Sequence, residues 1–188
     1  EIMKVLDKPA KGALLIAQPF LGYPNFERGV VLLCEHNDEG SFGFVFNQPS
    51  GIFLADAIES TIYRDIPLYV GGPVEVDTLH LVHTRPDLIP GGKEVLPGVF
   101  WGGDFEQVKR LLNSDAIDNH EIRFFIGYSG WDSGQIDFEI QLDSWIICEG
   151  NAQFLFSTPD GDFWRELLKS LGGNYRSIAN YPIDPRLN

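Results

Sequence analysis

A cysteine and a histidine two positions apart are the first residues in this chain whose types suggest catalysis. Cys34 and His36 place a thiol beside an imidazole, which is the minimum for a cysteine nucleophile. Residues two apart on a strand share a face, and Asn47 on the next predicted strand is placed to orient the ring. Cys34 also ends an apolar run, where a buried, unreactive thiol is the usual outcome. The sequence favours a structural thiol, with an enzyme of unknown reaction around His36 and Asn47 as the alternative.

A serine between glycines is the second candidate nucleophile. Residues 127–131, Gly-Tyr-Ser-Gly-Trp, are similar to the Gly-x-Ser-x-Gly elbow of serine hydrolases, but Trp131 stands where the last glycine is required. A bulky indole would crowd the strained turn of an elbow. We therefore interpret residues 123–135 as a tightly built corner with two glycine turns, in which Ser129 is a small turn residue.

Metal and phosphate sites are not indicated. His80 and His83 are three apart on a predicted strand, so their side chains are expected on opposite faces. The chain contains neither Cys-x-x-Cys nor His-Glu-x-x-His. The amides of Gly102 and Gly103 suit a phosphate, but Asp104 would place its own carboxylate on them, and no Gly-Lys-Ser or Gly-Lys-Thr occurs. The sequence predicts no metal and no cofactor.

Two glycine doublets stand in similar contexts. Residues 68–75 and 99–106 each hold the end of a predicted strand, a glycine pair, and then Pro73 or Asp104, which suit the start of a turn or helix. We interpret the two segments as equivalent structural corners. The alternative is a paired ligand-cradling site, because glycine lets a ligand approach the backbone closely.

Charge and composition limit the classes of partner. The chain has 188 residues, of which 14 are basic and 27 acidic, giving a net charge of −13. Such a charge repels phosphate backbones, so we predict that nucleic acid is not a partner and that the chain has no meaningful affinity for duplex DNA. A hydrophobic content of 44% suits one core, and we expect a single domain over residues 1–188.

Cysteine usage and hydropathy indicate the compartment. Cys34 and Cys148 are the two cysteines and lie in apolar runs, which predicts a reducing cytoplasm with free, buried and slowly reacting thiols. No apolar run approaches the ~18 residues of a membrane span, so no membrane association is predicted. The first residues show no signal-peptide pattern, although Glu1 suggests that the true start is missing.

Hydrophobic periodicity predicts strands and helices in alternation. Asp104 is expected to cap a helix in a capping box with Gln107, and Asp162 to start another that ends at Gly172. Residues 136–143 alternate strictly, which favours a strand, although their apolar spacing also fits a buried helix. Strands are predicted at residues 13–17, 29–34, 43–47, 79–83, 121–126 and 153–156, with a hairpin turn at 37–40 and a weaker helix at 54–59.

Several short motifs in order give the chain a family resemblance. The chain resembles the AlgH/YqgE family of bacterial proteins over about residues 12–188. The motifs are residues 24–28, 30–37, 47–49, 71–74, His83, 102–105, 123–135 and 181–185. The matching positions include Asn25, Arg28, Glu35, Gly130, Gly134 and Gln135.

The resemblance implies a fold and a location, and it implies no reaction. Family members are single-domain cytosolic proteins of the α+β class, with a mixed β-sheet curled into a barrel-like core flanked by helices. A role in regulating alginate synthesis has been proposed for the family, and no catalytic residue is agreed. The family has a helix at residues 136–143, which we adopt over the alternation. This chain departs from the family at Ser129, usually alanine, and at Ser133, usually proline.

These observations lead to one functional hypothesis with two alternatives. We expect a cytosolic binding or regulatory module that acts through a protein partner or small ligand at the glycine-rich, aromatic corner. The alternatives are the enzyme described above, with Glu35 or Asp104 as further polar groups, and a transcription regulator, which the net charge disfavours. The candidate binding residues are His36, Asn47, Gly71, Gly72, His83, Gly102, Gly103, Asp104, Tyr128 and Trp131.

Overall fold

The computed structural model describes residues 3–19 and 26–182, and within these ranges the chain forms ten strands and six α-helices. The strands are β1 Leu14–Ala17, β2 Val30–Asn37, β3 Gly40–Val45, β4 Pro49–Phe53, β5 Pro67–Val70, β6 Val74–His83, β7 Lys93–Leu96, β8 Val99–Trp101, β9 Ile122–Asp132 and β10 Trp145–Cys148. The helices are α1 Leu54–Ala57, α2 Phe105–Asn113, α3 Gln135–Gln141, α4 Ala152–Ser157, α5 Phe163–Leu171 and α6 Asn174–Ala179. A 3-10 turn at Asp160–Asp162 precedes α5.

The strands form one mixed sheet in the order β10-β1-β2-β3-β9-β6-β8-β7. The β4–β5 pair joins this sheet through β5, which runs parallel to β9, whereas the other pairings are antiparallel. The predicted α+β class with a mixed sheet flanked by helices is therefore confirmed. The sheet is open, since no pairing joins β7 to β10 within the described residues.

β9 is the strand that connects the two halves of the sheet. Its first half pairs with β5 and β6, and its second half pairs with β3 from Gly43↔Ser129 to Gly40↔Asp132. The prediction of a glycine turn at residues 127–131 is therefore wrong, because these residues continue the strand. Ser129 is 1% exposed, and its hydroxyl donates to the Gly71 carbonyl across 3.0 Å. The predicted second turn is confirmed at Gly134, which has a φ of 76° just before α3.

Three apolar clusters cover the faces of the sheet. Because neighbouring residues of a strand point to opposite faces, β1 contributes Leu14 to one cluster and Leu15 to another, and both side chains are fully buried. The first cluster packs α4 and α5 on the sheet, the second packs α2, and the third packs α3. The continuous apolar runs at residues 13–17 and 29–34 thus mark strands that are buried on both faces.

Most predicted elements are confirmed, and one has the wrong type. The hairpin of β2 and β3, the strands at 79–83 and 121–126, and helices α1, α2 and α5 lie where they were predicted. Residues 153–156 form α4 instead of a strand. Asn151 starts this helix, since its Oδ1 accepts a hydrogen bond from the Phe154 amide at 2.8 Å. Such a short apolar run fits a buried strand as well as a buried helix.

The two predicted caps differ in the structure. The Asp104 carboxylate accepts hydrogen bonds from the Glu106 and Gln107 amides at 3.0 and 3.3 Å, so this cap of α2 is confirmed. The reciprocal half of the capping box is absent in this described segment. The Gln107 side chain instead donates to the Leu88 carbonyl and accepts from Arg110. Asp162 precedes α5 without a side-chain cap.

The helix adopted for residues 136–143 is confirmed as α3. Ile136 lies in the third cluster, and Ile140, four residues later on the same side of the helix, packs against that cluster. Phe138 and Leu142 are 59% and 61% exposed, so the helix is buried on one side only. No helix among the described residues is both long and apolar enough to cross a membrane.

Candidate functional site

The first glycine doublet is a close contact between two backbones. A Cβ on Gly71 would lie 2.4 Å from the Gly127 carbonyl oxygen, and one on Gly72 would lie 2.2 Å from that of Tyr128. Gly127 has a φ of 68°, and its own added Cβ would lie 2.5 Å from the Gly72 oxygen. We call Gly71, Gly72 and Gly127 the glycine joint. The protein's own backbone occupies the space that these glycines leave.

The second glycine doublet packs against a buried histidine. His83 is fully buried, its Nδ1 accepts from the Arg85 amide at 3.1 Å, and its Nε2 donates to the Gly102 carbonyl at 3.1 Å. Burial lowers the pKa of His83, which favours this neutral form. A Cβ on Gly103 would meet Ile89 at 2.4 Å, and Asp104 is engaged as the cap of α2. The predicted residues of this corner therefore hold one another in place.

The Cys34–His36 pair does not form, because a β-bulge lies between the two residues. Glu35 pairs with Phe42 and His36 with Ser41, and the register shifts between Leu33 and Glu35. Residues that pair across two strands point to the same side of the sheet. The register shift therefore places the His36 side chain on the other side of the sheet from the Cys34 side chain. Burial strongly raises the pKa of the Cys34 thiol, which disfavours the thiolate.

Cys148 resembles Cys34 in its surroundings. Both thiols are free and buried, and burial raises the pKa of Cys148 to about 12. The predicted slow reaction of the two thiols stays a prediction, and these surroundings favour it.

Asn47 and His36 have separate partners. The Asn47 side chain accepts from the Val30 amide and donates to the Arg28 carbonyl, both at 3.0 Å, and so fixes the start of β2. His36 Nδ1 lies 2.6 Å from the Ser41 hydroxyl. The two predicted polar groups do not orient each other, and no hydrogen bond joins them in the described structure.

A solvent-facing cavity of about 640 Å³ lies where β2, β3, β6, β8 and β9 meet. We call it the aromatic groove. The residues that line it are Glu35, Asn37, Glu39, Gly40, Ser41, Phe42, Val74, His80, Trp101, Tyr128, Gly130, Trp131 and Asp132.

Three aromatic rings form the wall of the aromatic groove. Phe42 meets Trp101 with ring centroids 4.7 Å apart and planes at 66°, and it meets Tyr128 at 6.1 Å and 76°. The fully buried Phe44 lies behind Phe42, and His80 contacts both Phe44 and Tyr128. The edge-to-face arrangement makes a corner rather than a flat stack.

Strand pairing explains why the rings converge. Phe42 lies directly opposite Gly130, and Tyr128 shares a face with both, because residues two apart on a strand point the same way. Glycine opposite an aromatic residue leaves open volume above the sheet. A glycine inside a strand often marks such a close approach by a ligand or another backbone.

Charges at the aromatic groove are mostly negative. Glu35, Glu39 and Asp132 line it, and Glu75 hydrogen-bonds the hydroxyl of Tyr128 and thereby raises its pKa. Burial lowers the pKa of His80, so its imidazole is neutral at pH 7.

A smaller cavity of about 270 Å³ lies beside Arg123. The guanidinium lies 4.5 Å from the Phe46 ring centroid and 4.2 Å from that of Tyr69, donates to the Phe46 carbonyl, and is 3.5 Å from Asp160. Burial lowers the pKa of Arg123. The charge is thus engaged by groups of the protein itself.

Of the ten predicted binding residues, Tyr128 and Trp131 line the aromatic groove. Trp131 points mainly to the opposite face, where it is 7% exposed and donates to Glu139 at 3.2 Å. His80 and His83 face opposite sides as predicted, since His80 contacts Phe44 and His83 stacks on Phe100. The motif positions Asn25, Asp184 and Pro185 lie outside the described residues.

Sequence reasoning missed Phe42, Trp101 and His80 as groove residues. His80 was considered only as a metal ligand, and neither Phe42 nor Trp101 was named as a site residue. The available signal was Gly130, a glycine inside a run of strand-forming residues. Residues 3–19 and 26–182 contain no group of three or more His, Cys, Asp or Glu that could hold a metal ion.

The comparisons with known proteins decide the family. The profile of the AlgH-like family matches residues 14–176 of the chain. The chain belongs to the AlgH-like family. A UPF0301 protein of Chlorobaculum tepidum is 45% identical over 177 residues, which are 94% of this chain and 95% of that protein. A UPF0301 protein of Cytophaga hutchinsonii is 40% identical, over 95% and 98% of the two chains.

Two solved structures share the fold of this AlgH-like chain. The solution structure of the AlgH protein from Pseudomonas aeruginosa has a TM-score of 0.73 at 26% identity, and covers 95% of this chain and 100% of its own. The crystal structure of DIP2367 from Corynebacterium diphtheriae has a TM-score of 0.75 at 21% identity, and covers 93% and 94%. The predicted AlgH/YqgE membership is therefore confirmed.

Proposed function

We propose that this AlgH-like protein is a binding module whose ligand or protein partner is recognised in the aromatic groove. The observation that carries the proposal is a cavity of about 640 Å³ with three partly exposed aromatic rings in its wall. Ligand cavities of proteins commonly measure ~300–1,000 Å³ and combine aromatic walls with a few polar groups.

The groove differs from the other places where a site was predicted. At the glycine joint and at Gly103, beside His83, the protein's own atoms occupy the space beside the glycines, whereas Gly102 has no atom within 4 Å of an added Cβ. At Gly130, the nearest atom to an added Cβ is Tyr128 Cε2 at 3.5 Å. Open volume, aromatic surface and carboxylates that form no ion pair among the described residues therefore coincide at the groove.

A regulatory role is part of the same proposal, and it would act through the bound partner in the cytosol. Direct regulation at DNA is less well supported, since none of the residues that line the aromatic groove is Lys or Arg. Phosphate neutralisation by such residues supplies most non-specific DNA affinity. The net charge of −13 acts in the same direction.

The experiment is capture from a bacterial lysate by the full chain, analysed together with native mass spectrometry for retained small ligands. The parent is compared with Trp101→Ala and with Tyr63→Ala. Tyr63 is 76% exposed and lies outside the groove, so it controls for the loss of an aromatic side chain.

We expect Trp101→Ala to lose a partner or ligand that the parent and Tyr63→Ala both retain. Equal retention by all three proteins, with folded states verified by circular dichroism, would contradict the proposal.

A further inference from the structure

The aromatic groove carries negative charge that has no basic partner. Glu35, Glu39 and Asp132 line it, and none of them takes part in an ion pair in the described part of the chain. No Lys or Arg lines the groove. Carboxylates gathered without a counter-ion create a negative potential, which a low-dielectric wall strengthens and which attracts a cation.

The same groove offers aromatic surface to a cation. A positive group within ~6 Å of a ring centroid is attracted by the negative face of the ring. Trp101, the strongest type of ring for this contact, meets Phe42 edge to face with the two planes at 66°, is partly exposed and lines the cavity. Its indole nitrogen forms no hydrogen bond with the described residues, unlike those of the other three tryptophans.

An organic cation fits the aromatic groove better than a metal ion does. The carboxylates and imidazoles of the described residues form no group of three or more that could hold a metal. Aromatic walls bind alkylated or planar cations, whereas Ca²⁺ and Mg²⁺ require several oxygen ligands. His80 beside the groove is neutral at pH 7 and does not repel a cation.

Resting on the binding role proposed above, we infer that the aromatic groove takes an organic cation, either a primary or alkylated ammonium or a guanidinium. Glu35 and Asp132 supply the charge, and Phe42, Trp101 and Tyr128 supply the surface. The cation is either a free small molecule or a Lys or Arg side chain presented by a polypeptide. Both sources share the same recognition chemistry.

The test uses the four tryptophan indole N–H signals of the ¹⁵N-labelled full chain. Choline and its uncharged analogue 3,3-dimethylbutan-1-ol are titrated separately, because they have nearly the same shape and differ in charge. Trp101→Phe assigns the Trp101 signal. Trp145 donates to Glu139 and Trp164 donates to the Ala17 carbonyl, and neither residue lines the groove, so their signals serve as internal controls.

A second pair of probes identifies the source of the cation. An acetylated Gly-Arg-Gly peptide is compared with its citrulline counterpart, which lacks the charge. Binding of choline alone indicates a free small cation, and binding of the arginine peptide alone indicates a side chain on a polypeptide. Either result supports the inference.

We expect the Trp101 signal to move with the charged probe, and the uncharged analogue to bind about tenfold more weakly. Glu35→Gln combined with Asp132→Asn should weaken binding of the charged probe to a similar extent. Glu59→Gln, a change of the same kind at an exposed residue outside the groove, should leave it unchanged.

Equal binding of charged and uncharged probes, or no movement of the Trp101 signal with either cation, would overturn the inference. The proposed function fails separately. If neither cation binds while partner capture still depends on Trp101, the cation assignment is wrong and the binding role stands. If a cation binds and the capture is independent of Trp101, the cation site stands and the proposed role in partner capture is wrong.

Discussion

β9 carries two glycines that serve opposite purposes. At Gly127, with a φ of 68°, an added Cβ would lie 2.5 Å from the Gly72 oxygen, so glycine lets two backbones meet. At Gly130, an added Cβ would be 3.5 Å from its nearest neighbour, and the missing side chain leaves the aromatic groove open opposite Phe42. A glycine-rich segment therefore indicates a ligand site only where the protein's own atoms do not fill the space beside the glycine.

The largest expected effect is on the buried side of β9. Trp131→Ala should lower the free energy of unfolding by ~3–5 kcal/mol, because it removes a large indole from a core. Trp131 is 7% exposed and packs among Trp145, Phe26 and Ile136. Denaturant unfolding followed by circular dichroism measures the loss.

Trp101→Ala is the matched variant on the groove side of the sheet, where the indole is partly exposed. It should lose clearly less stability than Trp131→Ala. Equal losses in the two variants would contradict the distinction between a buried face and a binding face.

Gly127→Ala should lower the free energy of unfolding by about 3 kcal/mol. The alanine would be strained in the left-handed backbone conformation of this position, and its Cβ would clash with the Gly72 carbonyl oxygen. Gly134→Ala is the control, because Gly134 also has a positive φ, of 76°, but has no atom within 4 Å of an added Cβ. Thermal unfolding of the two variants separates conformational strain from the clash. If both lose the same stability, the glycine joint does not depend on close approach.

The buried His83 predicts a dependence of stability on pH. Its folded pKa lies below the ordinary value of 6.5, so under pH 6.5 the unfolded chain binds a proton that the folded chain does not. The free energy of unfolding should therefore fall as the pH falls below that value, by up to ~1.4 kcal/mol per pH unit for one such site. His80 contributes in the same direction.

His83→Gln should reduce this acid-dependent loss between pH 6.5 and pH 5, and His120→Gln, at an exposed position, should not. Urea unfolding at several pH values gives the slopes. A slope that His83→Gln leaves unchanged would show that His83 titrates normally in the folded state.

The smallest expected effect on stability is at Gly130. Gly130→Ala should change the free energy of unfolding by no more than ~0.5 kcal/mol, because its Cβ meets only ordinary contacts. The difference in the free energy of unfolding between Gly130→Ala and Gly127→Ala tests most sharply whether the two glycines of β9 have different roles. A large loss at Gly130 would mean that the groove floor is as tightly packed as the glycine joint.

The sequence was informative where a pattern depends on neighbours along the chain. The apolar runs of β1 and β2, the turn at residues 37–40 and the Asp104 cap are such local features, and the structure confirms them. The helix α3 came from the family resemblance and not from periodicity, since strict alternation at residues 136–143 favours a strand. Residues 153–156 show the same ambiguity of a short apolar run.

The candidate site depends on sheet order, which local patterns do not contain. Phe42, Trp101 and Tyr128 come from β3, β8 and β9, and they meet because of the way in which these strands are arranged. The spacing of Gly127 and Gly130 was interpreted as turns. Glycines that admit a second backbone have the same local signature as glycines in turns, so the partner strand has to be known.

The most direct measurement fills the aromatic groove without replacing any of its rings or charged side chains. Gly130→Val places a branched, strand-favouring side chain opposite Phe42, and its melting temperature and its capture of partner or ligand are compared with those of the parent. We predict a melting temperature close to that of the parent and a loss of capture. A Gly130→Val protein that keeps both its stability and its full capture would show that the aromatic groove is not the binding site.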